Sequence, residues 1–379
     1  MIWSMNSFFV GGVLFRSVTM SIGFLLILVA VFLSPNKNGT LAFSLKVLVF
    51  YIIYILIAIF NDHQTLSITN IIFGLICIGL LISGFIIGKN HQIFEKLSSN
   101  VILFYSFLIF LSAFFFQEYL FSNSLGSRSF ELDISVNTIG MAYTNSLLFL
   151  LFYSILRVNK NLSLFVRIIL IGAILTCLVT ILTTQSRGAI IFLSITLIVI
   201  YIKNLFRFKK IILYAVVILF LFFVFNYLIS FLREYLPIFD ARIEGLSSRL
   251  ERLFLFTNNT ETDLSGLARQ EFYKDLNENI KSYILIGKNN YIPYPHNLYL
   301  EMVMRWGVFS LPLIFISISM FLKSFKYLKT QNFNIIPIPI TIIILFLFCY
   351  FQSLTSLSLE MNRLLWFGFG FLISFKNEK

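Results

Sequence analysis

The chain consists largely of apolar runs that, as α-helices, would be long enough to cross a lipid bilayer. A helix that crosses the hydrocarbon core needs about 20 mostly apolar residues. Such runs predict eleven spans, at 8–33, 41–60, 68–88, 100–120, 138–156, 164–183, 188–202, 211–231, 298–322, 335–354 and 357–375. Arg16 divides the first run, so we favour two short helices there and twelve segments with both termini inside the cell. The sequence therefore predicts an all-α, polytopic integral membrane protein with about 11–12 transmembrane helices.

The composition argues against a soluble domain. Of 379 residues, 58% are hydrophobic and 12% are charged, whereas a typical soluble domain is about 25% charged. Because little polar material remains outside the spans, we expect a single transmembrane domain over residues 1–379. Cys77, Cys177 and Cys349 lie within apolar runs, a pattern that predicts neither a disulfide framework nor a metal or cofactor site.

The basic residues cluster in short loops on one side of the predicted membrane domain. These loops are 89–96, 157–167, 203–210 and 323–329, together with the tail 376–379. Short loops rich in Lys and Arg face the cytoplasm. The net charge of +12 therefore indicates membrane topology and not a nucleic-acid partner. The turn at 183–188 and the segment 232–297 then lie on the external face.

One long polar segment interrupts the apolar pattern. Nine of the 17 Asp and Glu residues lie between Leu232 and Pro295. Such a segment is excluded from hydrocarbon, where each unsatisfied polar group costs several kcal/mol. We therefore expect a large external loop at 232–297 that carries part of the functional site.

Arg187 lies in the short turn Thr183–Gly188 between two apolar runs. A guanidinium at membrane depth, beside a helix that begins after Gly188, would form an anion site with a fork of donors. An arginine that merely extends to the membrane interface explains the same residue. The residue alone leaves both interpretations open.

His296 directly precedes an apolar helix and is one of three histidines in the chain. We expect the helix dipole to lower the pKa of the imidazole and keep it neutral at pH 7. A neutral imidazole that faces water accepts a proton, which is the role of a general base. The alternative is that His296 helps Asn297 to cap the helix.

Three polar side chains share one face of the helix that follows His296. Asn297, Glu301 and Arg305 are spaced four residues apart. A polar stripe on an apolar helix predicts a face that lines a cavity in the protein interior. A structural ion pair between Glu301 and Arg305 is the alternative.

The polar segment also contains arginines interspersed with acidic residues. Its 8 Lys and Arg residues are balanced by 9 Asp and Glu residues, which excludes a general anion trap. A few positioned arginines would have to recognise any anionic ligand. A solvated helical face explains many of the arginines, which are Arg242, Arg249, Arg252 and Arg269.

The ordered set of these motifs resembles the O-antigen ligase and polymerase superfamily. The shared parts are Ser186-Arg187-Gly188 after a mid-chain helix, a large external loop, and His296-Asn297 with nine residues before Gly307. Ser310 stands where the family often has glycine. Three shorter elements are also similar: Ser127-Arg128 before Asn137–Gly140, the loop Ser265–Arg269, and Ile286-Gly287. The similarity spans about residues 120–320.

The resemblance implies transfer of a glycan from undecaprenyl pyrophosphate at the periplasmic face of a bacterial cytoplasmic membrane. By this resemblance Arg187 and Arg269 bind the pyrophosphate, and His296 takes the proton of the acceptor hydroxyl. Arg249 and Arg252 are alternatives for the second arginine. Pyrophosphate is already a good leaving group, so arginine forks suit its developing charge without a metal or cofactor.

The resemblance also implies supporting residues and partners. The supporting candidates are Arg128, Asn297, Glu301 and Arg305. The expected partners are a lipid-linked donor and acceptor, the lipid bilayer, and a protein that regulates chain length.

Two family functions share this chemistry and differ in the acceptor. A polymerase joins one lipid-linked repeat unit to another, whereas a ligase passes the finished glycan to lipid A–core. We favour the O-antigen polymerase, because the sequence from His296 to Glu301 is similar to polymerases of the family. The O-antigen ligase is the alternative. A transporter or flippase is a further alternative, although the chain lacks two matching halves with broken helices.

Overall fold

The computed structural model describes the chain in separate stretches. These are residues 37–60, 68–90, 104, 129–130, 136–158, 162–183, 186–205, 274, 278, 281, 284–285, 287, 297–330, 337–355 and 362–375. The chain divides into two compact units, one of residues 1–11, 97–257 and 332–337 and the other of residues 12–96, 258–331 and 338–379.

The described stretches are almost entirely helical. Their helices are α1 (Lys37–Phe60), α2 (Ile68–Lys89), α3 (Thr138–Val158), α4 (Leu164–Thr183), α5 (Arg187–Leu205), α6 (Leu298–Trp306), α7 (Leu311–Thr330), α8 (Pro337–Ser353) and α9 (Arg363–Ser374). A 3₁₀ turn, Gly307–Ser310, joins α6 to α7. Two short strands, β1 (Ser129–Phe130) and β2 (Val136–Asn137), pair antiparallel directly before α3.

The unit that contains α3, α4 and α5 has an apolar core with small polar residues in it. α3 packs against both α4 and α5. The hydroxyls of Ser146, Ser154 and Thr196 are buried, and each donates to the carbonyl four residues earlier, at 2.9, 2.6 and 2.7 Å. These polar groups are therefore satisfied within their own helices, as an apolar environment requires.

In the other unit, glycines allow α2 and α9 to approach backbone to backbone. A Cβ atom at Gly84 of α2 would overlap the carbonyl of Phe367, and one at Gly370 of α9 would overlap the carbonyl of Leu81. Small residues at a crossing permit this close approach and recur in packed membrane helices. A larger side chain at either position would separate the two helices.

α8 is a central helix of the same unit. Its four consecutive residues from Phe346 to Cys349 are each at most 1% exposed. Phe346 contacts Phe369 of α9, and Tyr350 stacks on Phe321 of α7 at 4.4 Å between ring centroids. A helix that is apolar and buried on every side lies in the interior of a large or membrane-embedded protein.

Two helices in the described part of the chain are long and apolar enough to cross a membrane. One covers Gly39–Ile57, with 19 residues, and the other is the continuous helical stretch Leu298–Leu328, with 31 residues, which passes through α6, the 3₁₀ turn and α7. Shorter apolar helices occur at Gly74–Lys89, Leu164–Leu178, Gly188–Ile200, Pro339–Ser353 and Arg363–Ser374. The all-helical class agrees with the sequence, whereas the multi-pass arrangement stays a prediction.

Several predicted boundaries differ from the structure. The run 298–322 is not one regular helix, because Gly307 takes a φ of 53° at the end of α6 and a 3₁₀ turn follows. α7 extends to Thr330, so the predicted loop 323–329 is helical. The predicted spans 8–33 and 211–231, and nearly all of 100–120 and of the loop 232–297, lie outside the described residues.

Candidate functional site

Arg187 is the first residue of α5 and does not lie in a turn before it. The amide of Ile190 donates to the carbonyl of Ser186 at 3.2 Å, so the helical hydrogen bonds begin at Ser186. Gly188 lies in this first turn beside Tyr143 of α3, and a Cβ atom there would overlap the tyrosine hydroxyl. Tyr143 is 7% exposed. The glycine of the Ser-Arg-Gly motif therefore leaves room for the Tyr143 hydroxyl where α5 begins against α3.

Asn297 is the N-cap of α6. Its backbone is extended, with φ −142° and ψ 122°, and its side-chain oxygen accepts hydrogen bonds from the amides of Tyr299 and Leu300 at 3.0 and 3.1 Å. A helix start leaves its first amides without partners in the helix. Because Asn297 already satisfies two of them, these amides do not require a capping side chain from His296.

The side chain of Asn297 also binds α6 to the end of α8. Its Nδ2 atom donates to the carbonyl of Leu354 at 2.9 Å. Leu354 follows the last residue of α8, where helical carbonyls lack donors within the helix. One amide group thus joins the start of one helix to the end of another.

Glu301 and Arg305 form the ion pair that their spacing predicts. The guanidinium Nη2 donates to the Glu301 carboxylate at 2.6 Å. Glu301 is 2% exposed, whereas the Arg305 side chain is 26% exposed. The geometry therefore favours the structural interpretation of this pair.

Leu285 and Gly287, which precede His296 in the sequence, lie at the opposite end of α6. Gly287 has a φ of 82°, and a Cβ atom there would lie 2.6 Å from the carbonyl carbon and oxygen of Arg305. The amide of Val308 donates to the carbonyl of Leu285 at 3.4 Å. The glycine is needed for its left-handed backbone and for its close approach to α6.

Three hydroxyls meet at the start of α6, two of them on buried residues, and none of the three residues is among the predicted site residues. The Tyr299 hydroxyl is in direct hydrogen-bond contact with that of Tyr350 on α8, and lies 3.3 Å from the Ser317 oxygen on α7. Ser317 is 1% exposed and Tyr350 is 5% exposed. Tyr299 and Tyr350 are 51 residues apart, and no local pattern connects them.

The remaining predicted site residues are not among those described. They are His296, Arg128, Arg249, Arg252 and Arg269, together with the side chain of Arg187. Their roles stay predictions. In the described stretches, no group of three His, Cys, Asp or Glu residues is arranged to hold a metal ion.

The motifs at α5 and α6 fall within one region of similarity to known proteins. Residues 172–315 match the O-antigen ligase family. This region is less than half of the 379-residue chain and includes both Ser186-Arg187-Gly188 and His296-Asn297. The resemblance inferred from the sequence is thereby confirmed. No curated protein and no solved structure matches the chain.

The family match supports an enzyme and a membrane protein of the O-antigen ligase and polymerase type. It does not distinguish ligase from polymerase. It lends no support to the transporter or flippase alternative.

Proposed function

We propose that this protein is an O-antigen polymerase. It joins undecaprenyl-pyrophosphate-linked repeat units at the periplasmic face of a bacterial cytoplasmic membrane. The observation that carries the proposal is the O-antigen ligase family match over residues 172–315, which includes the three residues assigned to the chemistry: Arg187, Arg269 and His296.

Exposed apolar faces support the membrane location. On α4, Leu164, Phe165 and Ile168 are between 60 and 74% exposed, and on α7, Phe315 and Leu322 are 69 and 60% exposed. Transfer of such large apolar side chains from water into hydrocarbon is favourable. Lipid tails are the partner that these faces fit.

The donor pyrophosphate is assigned to Arg187 and Arg269. As the sugar leaves, negative charge develops on the pyrophosphate, and a guanidinium neutralises it through two parallel hydrogen bonds. The position of Arg187 in the first turn of α5 supports this role, because a helix N-terminus carries a partial positive charge. Lysine keeps the charge but loses the fork. Arg187→Lys should therefore already impair transfer at a normal membrane level of protein.

His296 is assigned to the acceptor hydroxyl as general base. It takes the proton while the hydroxyl oxygen attacks the anomeric carbon, and the lipid pyrophosphate leaves. The cap that Asn297 supplies supports this role, since it meets a structural need that His296 could otherwise have met. Glu301, on the same helix, is instead buried and bound to Arg305, as a structural ion pair would be.

The ligase remains the second candidate because the two activities differ only in the acceptor. The lipopolysaccharide of a deletion strain separates them. Core carrying a single repeat unit is the expected result for the polymerase. Bare core with accumulated lipid-linked polymer would assign the protein as the ligase and overturn our proposal.

The base assignment is tested with purified protein and a lipid-linked donor. General bases contribute roughly 10²- to 10⁴-fold to rate, so His296→Gln should retain donor binding and lose about that much turnover. Glutamine keeps a polar side chain but does not take up the proton. Wild-type turnover in His296→Gln would refute the mechanism.

A further inference from the structure

We infer that α8, through Tyr350 and the Leu354 carbonyl, positions the catalytic turn at the start of α6. Tyr350 is then a positioning residue for His296. The inference rests on the proposed function, because it assumes that His296 is the base.

Two contacts connect the first turn of α6 to α8. Asn297 donates to the Leu354 carbonyl at 2.9 Å, and the hydroxyl of Tyr299 is bound to that of Tyr350. Tyr350 and Leu354 lie four residues apart, so one turn at the end of α8 receives both contacts. Two contacts at separate points restrain the rotation of the α6 start as well as its distance from α8. His296 is the residue covalently attached before this turn.

The α8 side of the contact is rigid. Tyr350 is 5% exposed, stacks on Phe321 with an interplanar angle of 15°, and lies 5.9 Å from the Phe346 ring centroid. Close packing of this kind leaves the phenol ring a single orientation. The Tyr350 hydroxyl that binds Tyr299 therefore has a fixed position.

The hydroxyl of Ser317 on α7 adds a third helix to the contact between Tyr299 of α6 and Tyr350 of α8. Its oxygen lies 3.3 Å from that of Tyr299. In apolar surroundings a hydroxyl without a partner is costly, so the three hydroxyls favour one mutual arrangement. The start of α6 is thus held by side chains from α7 and α8.

The contacts that hold the start of α6 extend beyond the region of family similarity. The match ends at residue 315, whereas Ser317, Tyr350 and Leu354 all follow it. The C-terminal helices α7 and α8 lie largely or wholly beyond that match. The contacts assign them a part in placing the base.

The first test compares the loss of the tyrosine hydroxyl at two positions. Tyr350→Phe keeps the ring stacking and removes the contact with Tyr299. Tyr327→Phe is the matched control. The Tyr327 hydroxyl donates to the Phe375 carbonyl at 2.9 Å, and Tyr327 lies at the end of α7 that is far from Ser317. Both variants should lose thermal stability to a similar extent in nanodiscs.

Their activities should differ. Displacement of a reacting group by about 1 Å can cost 10²-fold in rate, so Tyr350→Phe should lower kcat on the order of tenfold while KM stays within about twofold. Tyr327→Phe should keep wild-type kcat. Equal kcat in the two variants would overturn the inference, since the hydroxyl would then have no effect beyond stability.

The second test places Tyr350→Phe in a His296→Gln background. Residues that act through one group are non-additive. If Tyr350 acts through His296, its substitution should cause no further loss of kcat when His296 is already replaced. The same fold loss in both backgrounds would contradict positioning. Wild-type turnover of His296→Gln alone would instead identify a failure of the proposed function.

Discussion

The guanidinium of Arg305 donates a 2.6 Å hydrogen bond to the carboxylate of Glu301, one turn earlier on α6. Glu301 is 2% exposed, so the carboxylate of this ion pair is removed from solvent, whereas the Arg305 side chain is partly exposed. Breaking a buried pair by removing one partner is far more costly than replacing both partners by apolar groups. Each of the two side chains therefore depends on the other in the helix that His296 precedes.

Removal of Arg305 should destabilise the protein through Glu301. Arg305→Leu leaves a buried carboxylate without its partner, which costs about 3–5 kcal/mol. The double variant with Glu301→Met should recover most of this loss. Unfolding in mixed detergent micelles measures both, and Arg167→Ala, at an exposed arginine of α4, serves as the control. A double variant as unstable as Arg305→Leu would contradict the explanation.

Gly287→Ala should detach the segment that leads to His296. The φ of 82° is unfavourable for alanine, by roughly 1–2 kcal/mol, and the new Cβ atom would lie 2.6 Å from the Arg305 carbonyl. We expect faster tryptic cleavage after Lys288. Leu285→Ala is the matched control, because its side chain is 68% exposed and its carbonyl bond to Val308 remains. Equal cleavage rates in the two variants would show that Gly287 does not hold the segment.

Gly188→Ala should impair donor use through Tyr143. The new Cβ atom would overlap the buried tyrosine hydroxyl and displace the first turn of α5, which carries Arg187. A loss of kcat/KM on the order of tenfold to a hundredfold is expected. Adding Tyr143→Phe removes the overlapping oxygen and should restore much of the activity. The absence of any rescue would mean that another contact requires the glycine.

The predicted topology can be tested with fused reporters. A reporter after Asn259 should behave as periplasmic, because the polar segment 232–297 is expected outside, and one after Lys209 should behave as cytoplasmic. Both positions lie outside the described residues. The reverse pattern would rule out the topology and the periplasmic site with it.

Local sequence was sufficient for most helix limits. The runs 41–60, 68–88, 138–156 and 164–183 correspond to α1 (Lys37–Phe60), α2 (Ile68–Lys89), α3 (Thr138–Val158) and α4 (Leu164–Thr183). Long apolar runs determine helices because an apolar environment requires every backbone group to bond within its own segment. The N-cap at Asn297 and the pair of Glu301 with Arg305 were also predictable, since both depend on spacing within one helix.

Local sequence failed where the backbone responds to a neighbour. The helix break at Gly307 was missed because glycine is also found within helices, and its φ of 53° follows from the packing around it. That packing includes the Tyr54 hydroxyl, which donates to the Phe309 carbonyl at 2.8 Å from 255 residues away. Spacing along the chain carries no signal for such a contact.

The sequence by itself determined the helical class, the apolar surface, and the motifs that match the O-antigen ligase family, because each depends on residues close together in the chain. The tertiary structure decided what those motifs contact. It placed Tyr350 and Leu354 of α8 against Tyr299 and Asn297 of α6, over separations of 51 and 57 residues. Which distant side chains meet depends on how the helices pack, and packing is a property of all their surfaces together.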